Sequence, residues 1–245
     1  MRLQATINRL NKLLQASRSP RLTGAIIHHH VLVGAEHRPV LTRKLSTVID
    51  VGANRGQFAL AARQWAPGAR VISFEPLPGP AAVFRRVFSG DAAVVLHEAA
   101  LGPRSGQATM HVSARDDSSS LLPISSLQSE VFPGTAEVAM ATVRVAPLDT
   151  FVRVEDLAAP AMLKLDVQGY ELEVLHGSES LLGTMQYIYV ECSFMELYEG
   201  QAAADDVIKF LHERNFALKG VHNLVYDKAG RAVQGDFLFE KGGTQ

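Results

Sequence analysis

Apolar residues along this chain come in two rhythms, and their alternation predicts its elements. Val48, Ile49 and Val51 form a β-branched run closed by Gly52, the signature of a strand covered on both faces. After Gly56 the apolar Phe58, Ala61, Ala62 and Trp65 recur at helical spacing. The same switch repeats downstream. Strands are predicted at 46–51, 71–74, 93–97, 161–165, 187–190, 216–221 and 236–241, and helices near 56–65, 79–88, 169–176 and 202–214. Strands alternating with helices imply right-handed crossovers and a parallel sheet. Residues 107–145 break the rhythm: 107–112 and 142–145 read as strands around a serine-rich stretch, 113–141, with Asp116-Asp117 and Pro133-Gly134. A loop of that length inside a compact domain is expected to serve as a lid.

Ahead of this unit, Leu3, Ile7, Leu10 and Leu14 share one face of an amphipathic helix over 2–15, and Ser19-Pro20 ends it. A second apolar stretch, 25–33, carries His28, His29 and His30, which read as cap-region residues because adjacent histidines in regular structure cannot share one metal. Two domains of organisation follow: a helical, basic extension over 1–45 and an α/β domain over 46–245.

Composition sharpens this picture in three places. With 245 residues and 47% hydrophobic content the chain can bury a large α/β core. The single cysteine, Cys192, leaves no internal disulfide and reads as a small buried residue. No apolar run reaches the roughly 20 residues of a membrane span, and no signal-peptide pattern opens the chain, so a soluble cytoplasmic protein is expected. Charge is uneven: residues 1–44 hold eight Lys/Arg against Glu36, a net +7, and the remainder carries −8. An acidic body argues against extended nucleic-acid binding. The basic arm suits a solvated helix, a peripheral contact with the inner membrane surface, or dimerisation; a monomer and a homodimer both fit.

Candidate chemistry gathers where strands end. A strand feeding a helix through glycines presents free N–H groups to a ligand. The dinucleotide fingerprint would need glycines at 54 and 57, where this chain has Asn54 and Gln57. Instead it reads Asp50-x-Gly52-x-Asn54-x-Gly56, the order of an S-adenosylmethionine loop, with Asp50 meeting the cofactor's ammonium end. Glu75, closing the second strand, suits a ribose diol; NAD would use the same acid. Strand ends at Asp50, Glu75, Glu98, Asp166 and Glu191 line up carboxylates that repel unless a positive charge lies between them. A sulfonium cofactor supplies one. A dehydrogenase or epimerase using NAD, and a non-catalytic cofactor-binding module, are the rival readings.

Beyond single motifs, five stretches occur in order: Ile49-Asp50-Val51-Gly52-Ala53-Asn54-Arg55-Gly56, Phe74-Glu75-Pro76, Leu148-Asp149-Thr150-Phe151, Lys164-Leu165-Asp166-Val167-Gln168-Gly169-Tyr170-Glu171 and Tyr189-Val190-Glu191. Together they resemble the FkbM family of S-adenosylmethionine-dependent methyltransferases, from about residue 47 to 240. The resemblance implies a Rossmann-like class I methyltransferase fold, with a seven-stranded, mostly parallel sheet and an antiparallel last strand. It implies O-methylation of a small or lipid-linked acceptor, foremost a sugar of a glycolipid or secondary metabolite. Asp50, Gly52, Ala53, Asn54, Gly56, Gln57, Phe58, Glu75, Pro76, Ala100 and Asp166 would then line the cofactor site. Ser119 joins them from a Ser118-Ser119-Ser120-Leu121 stretch similar to one that closes near the cofactor in the family. Arg55 departs from the apolar residue frequent there. Asp166, Glu191 and His222 are the candidate bases for the acceptor hydroxyl, and no metal site is assigned. His176, inside a helix, reads as structural.

Overall fold

The computed structural model describes residues 19–33 and 35–243. The amphipathic helix expected over 2–15 therefore lies outside the described residues. Helix α1 (Pro20–His29) is capped by Ser19, whose hydroxyl accepts from Leu22 N, and ends at His30 in the left-handed region. The three histidines thus fall in its last turn and C-terminal cap. A 3-10 turn (Ala35–His37) and a short helix α2 (Arg38–Leu41) lead into the sheet.

Strand β1 (Thr47–Val51) is buried at all five residues, as its unbroken apolar run requires. Helix α3 (Gln57–Trp65), β2 (Arg70–Phe74), helix α4 (Pro78–Val87) and β3 (Val94–His97) carry the chain outward on one side. After an excursion, β7 (Ala161–Leu165) pairs with the opposite edge of β1, and helices α6 (Glu171–His176) and α7 (Glu179–Leu182), β8 (Tyr187–Ser193) and helix α8 (Ala204–Glu213) follow. Strands β9 (Phe216–Tyr226) and β10 (Ala232–Lys241) close the sheet in the order β3-β2-β1-β7-β8-β10-β9. Strand β10 runs antiparallel to β8 and β9, and the other pairings are parallel. This is the seven-stranded sheet with an antiparallel last strand that the sequence implies, a Rossmann-like class I methyltransferase topology.

Each face of the sheet has its own core. Val48, Val71, Met162, Tyr189 and Leu238 point to the side covered by α1 to α4, against Leu22, Leu41, Phe58, Ala59 and Phe84. The alternate residues Ile49, Ile72, Leu163, Ile188 and Phe237 meet Val174, Leu175, Val207 and Leu211 of α6 and α8. The period of two along each strand produces this division. From Leu22 onward the described part of the N-terminal segment buries Ala25, Val31, Val33, Val40, Leu41 and Leu45 in the first of these cores.

The excursion between β3 and β7 is more ordered than a loop over 113–141. Strand β4 (Ala100–Leu101) leaves the main sheet and pairs with β6 (Glu137–Ala146), which pairs on its other side with β5 (Gly106–Ser113); helix α5 (Ser126–Val131) lies between β5 and β6. Val138 and Met140 are exposed, so the first half of β6 is a strand by ladder pairing rather than burial. Apolar patterning cannot register such a strand. The last parallel-direction strand is also longer than 216–221: β9 runs to Tyr226, placing His222 within it rather than after it. No described helix is long and apolar enough to cross a membrane.

The excursion is anchored by a close backbone approach. Gly177, just past α6, has an ordinary φ of −70°, yet a Cβ there would lie 2.3 Å from Gly102 O. Gly177→Ala is expected to cost about 1–3 kcal/mol through overpacking, read as a fall in thermal midpoint. Gly183→Ala, where only the Lys241 ammonium comes within 4 Å, should leave the midpoint in place. Equal midpoints for both variants would contradict the packing described.

Candidate active site

The chain winds outward in opposite directions from β1 and β7, so the carboxyl ends of these neighbours form the crevice an open parallel sheet offers a ligand. Gly52 turns out of β1 with φ +77°, and a Cβ on it would sit 1.8 Å from Asp166 O. Only glycine permits strands β1 and β7 to end so close together. Asn54 follows at φ 46°, and its side-chain oxygen accepts from Arg55 N at 2.7 Å, a local bond that stabilises the left-handed turn. Glu75 ties this turn to the next: Oε2 accepts from Asn54 N at 2.9 Å and Oε1 from Leu77 N at 2.7 Å. Burial pushes the Glu75 carboxyl up to about 7, although both backbone bonds favour its ionised form.

Beneath the turn lies a lysine. Lys164 Nζ stands 3.1 Å from Asp50 Oδ1 and 3.7 Å from Asp166 Oδ2, and donates to Val51 O at 3.3 Å and Gly52 O at 3.1 Å. Burial alone would lower its pKa; Asp50 and Asp166 outweigh that and hold the ammonium above the usual lysine range. Asp50 is fully buried and faces this ammonium, not the cavity. The positive charge required among the strand-end carboxylates is thus partly built into the protein. Two carboxylates share one lysine, leaving the site net negative.

Gln168, at φ 57° after β7, joins the remaining parts. Its Nε2 donates to Asp166 Oδ1 at 2.8 Å and Glu191 Oε2 at 3.0 Å. Its Oε1 accepts from Tyr198 OH at 2.7 Å, and its backbone oxygen accepts from Ser120 Oγ at 2.7 Å. Tyr198 OH also approaches Ser118 O at 3.1 Å. Ser118, Ser119 and Ser120 are buried, and Arg55 clamps Asp116 through Nε at 2.8 Å and a terminal nitrogen at 2.6 Å. The serine-rich segment is therefore docked over the sheet edge, with the departure at Arg55 serving as its latch.

A cavity of about 240 Å³ lies under this cover. Gly52, Ala53, Asn54, Gln57, Phe58, Glu75, Pro76, Ala100, Ser119 and Asp166 all line it. Gly56 does not; it abuts Phe84 and Phe88 and lets α3 pack. Glu191 and His222 also lie outside the lining. Glu191 is held by the Gln168 and Gln234 amides, and burial, with Asp166 and Asp236 beside it, pushes its carboxyl well above the ordinary range. His222 packs edge-on to the Tyr189 ring. Sequence reading passed over Lys164, Gln168 and His37, which share the lining. Lys164 had one local signal: it shares a strand face with Asp166, two residues on.

Comparison with known proteins decides the family. The model of the methyltransferase FkbM domain matches residues 50–218, more than half of the 245 residues. The chain belongs to the FkbM methyltransferase family. It is an S-adenosylmethionine-dependent methyltransferase, as the loop order of its first turn indicates. A 2-O-methyltransferase NoeI of Sinorhizobium fredii is similar to it, 27% identical over 209 residues and matched over 83% of each chain. Methyltransferase 1 of Beauveria bassiana is 27% identical over 150 residues, covering 54% of this chain and 58% of that protein. Among solved structures, the chain is similar to a precorrin-6y C5,15-methyltransferase from Geobacter metallireducens, with 13% identity, TM-score 0.45 and coverage of 84% and 87%. It is also similar to a Streptococcus pneumoniae putative tRNA (m1A22) methyltransferase in complex with S-adenosyl-L-methionine, with 10% identity, TM-score 0.47 and coverage of 85% and 73%.

The residues present fit that cofactor. The net negative lining suits a cation, and Gln57 Oε1 is a buried acceptor without a hydrogen-bond partner among the described residues. Among the described residues no group of three or more His, Cys, Asp or Glu is placed to hold a metal ion.

Two outcomes test the electrostatics. Lys164→Met leaves Asp50 and Asp166 without their shared cation and is expected to cost about 3–5 kcal/mol in urea unfolding; unchanged stability would remove Lys164 from this role. Glu171, at the head of α6, accepts from Val167 N at 2.9 Å and Gly169 N at 3.2 Å, and burial, with Asp166 nearby, pushes its carboxyl up to about 7. A raised carboxyl pKa favours the folded state while the group is protonated, and that stability is lost as pH rises through 7. Glu171→Gln, which cannot ionise, should therefore lose less stability than the parent between pH 5 and pH 8, by up to about 3 kcal/mol. Parallel pH profiles would contradict the shift.

Proposed function

We propose that this methyltransferase transfers its methyl group to a hydroxyl oxygen of a small or lipid-linked acceptor, with a sugar as the leading class. One observation carries the reading: 83% of the chain aligns with a protein named as a 2-O-methyltransferase. The lining supports it. Gly52, Asn54, Gln57 and Glu75 would hold the cofactor, and Asp166 lies at the carboxyl end of β7, on the same wall. When bound, S-adenosylmethionine supplies a methyl group already activated for displacement by its sulfonium.

The protein's own task is then positioning and proton management. A hydroxyl is a weak nucleophile, and holding it in line supplies much of the rate. Asp166, fixed by the Gln168 amide and the Lys164 ammonium, offers a rigid acceptor to that hydroxyl. The docked serine segment limits water, the competing oxygen nucleophile. Of the three base candidates read from sequence, Asp166 is the one that lines the cavity.

Incubation with methyl-labelled S-adenosylmethionine and an extract of sugars and glycolipids is expected to give a product labelled as a methyl ether. Asp166→Ala should lower turnover at least a hundredfold. Label found on nitrogen or carboxylate, or full turnover by the variant, would overturn the reading.

A further inference from the structure

We propose that His37 takes the proton from the acceptor hydroxyl through Nε2, and that Tyr189 and Asp236 hold its ring in the tautomer that makes this possible. The inference rests on the O-methyltransferase reading above. His37 and Asp236 both fall outside the matched family region, residues 50–218.

His37 reaches the site from the N-terminal segment. It ends the 3-10 turn Ala35–His37, and the α2 side chains Val40 and Leu41 behind it are fully buried, which fixes the turn to the domain. Its ring stands edge-on to Phe58 at 5.0 Å and to Tyr189 at 5.9 Å, and it lines the same cavity as Gly52, Asn54 and Asp166.

The hydrogen bonds behind the ring set its tautomer. Tyr189 has one phenolic proton and donates it to Asp236 Oδ2 at 2.8 Å. Asn223 Nδ2 secures both partners, donating to Asp236 Oδ2 at 2.6 Å and to the Tyr189 oxygen at 3.2 Å. Burial and the Asp236 carboxylate raise the phenol's pKa, so it keeps that proton. Toward His37 Nδ1, 3.4 Å away, the Tyr189 oxygen is therefore an acceptor, and Nδ1 carries the hydrogen. Nε2 is left with its lone pair. The logic is that of a base oriented by a carboxylate, with a phenol interposed.

The ring is also in the right charge state. Burial lowers its pKa, against Asp236 on β10, Glu36 beside it and Asp166 just past β7, while Lys164 on β7 lowers it further. The imidazole is thus neutral at neutral pH. As the acceptor O–H bond breaks, its proton passes to Nε2 and the oxygen's electron pair forms the bond to the methyl carbon. The carbon–sulfur pair returns to the donor's sulfur. The resulting imidazolium keeps its Nδ1–H on Tyr189, whose own proton faces the Asp236 carboxylate. Asp166, already taken up by Gln168 and Lys164, orients the acceptor and balances charge.

The test uses the full chain. Nitrogen-15 NMR of histidine-labelled protein should show His37 as the Nδ1–H tautomer, titrating below the ordinary histidine range, and Tyr189→Phe should redistribute the tautomers. With the acceptor identified by labelling, His37→Gln should lower kcat about a hundredfold or more and abolish the rising acid limb of the pH profile. Its affinity for S-adenosylmethionine should stay within a few-fold. Tyr189→Phe should lower kcat by about tenfold and displace that limb. An Nε2–H tautomer, or His37→Gln with parental kcat and pH profile, overturns the role of His37 and leaves the O-methyltransferase reading standing. Parent protein that labels no hydroxyl overturns both. If His37→Gln loses cofactor binding, the NMR tautomer of the parent decides.

Discussion

A single buried ammonium underlies the site. Lys164 stands between Asp50 and Asp166 and donates to the two carbonyls that close β1. Burying the Lys164 and Asp50 charges is expensive, and such a pair persists where removal of one would strand the other. Here the lysine fixes the path of the chain through Gly52 and keeps the ends of β1 and β7 in contact. Its charge falls short of the carboxylates around it. The deficit gives the cavity its preference for a cationic ligand, so the constraint that sets the fold's central seam also sets the chemistry of the ligand.

A second layer of organisation depends on Gln168. Its left-handed backbone directs one amide toward Asp166 and Glu191, while Tyr198 and Ser120 close on its oxygens. Cavity wall, strand-end acids and serine cover are thereby joined through one residue. Three carboxyls of the site and its support, Glu75, Glu171 and Glu191, have raised pKa values. Burial is the largest cause of the rise at each, and a raised pKa eases the repulsion that their number implies.

One lining residue, His37, arrives from outside the family's matched region. The N-terminal segment is not a separate attachment where it is described; from Leu22 to Leu45 it shares the core of α3 and the sheet. That packing delivers His37 to the cavity, and the final hairpin delivers Asp236 behind it. The cavity built by the central strands is thus bordered by a residue from the N-terminal segment, backed by one from the final hairpin.

Much of this was legible locally. The strand-turn-helix at residues 46–65, the parallel alternation and the row of strand-end carboxylates follow from periods of 2 and 3.6 and from turn chemistry, which act over a few residues. Ten of the twelve residues assigned to the cofactor line the cavity; Asp50 and Gly56 support it from behind. Strand β6 was half missed because its exposed half is defined by ladder bonds to β5, not by burial. The sequence by itself determined where the glycine turn and its acids lie, because backbone conformation there is chosen by neighbouring residues. Only the tertiary structure decided that Lys164 meets carbonyls 113 and 112 positions away, or that His37 meets Tyr189 across 152. Such contacts are fixed by how packed elements stack, and no local periodicity records them.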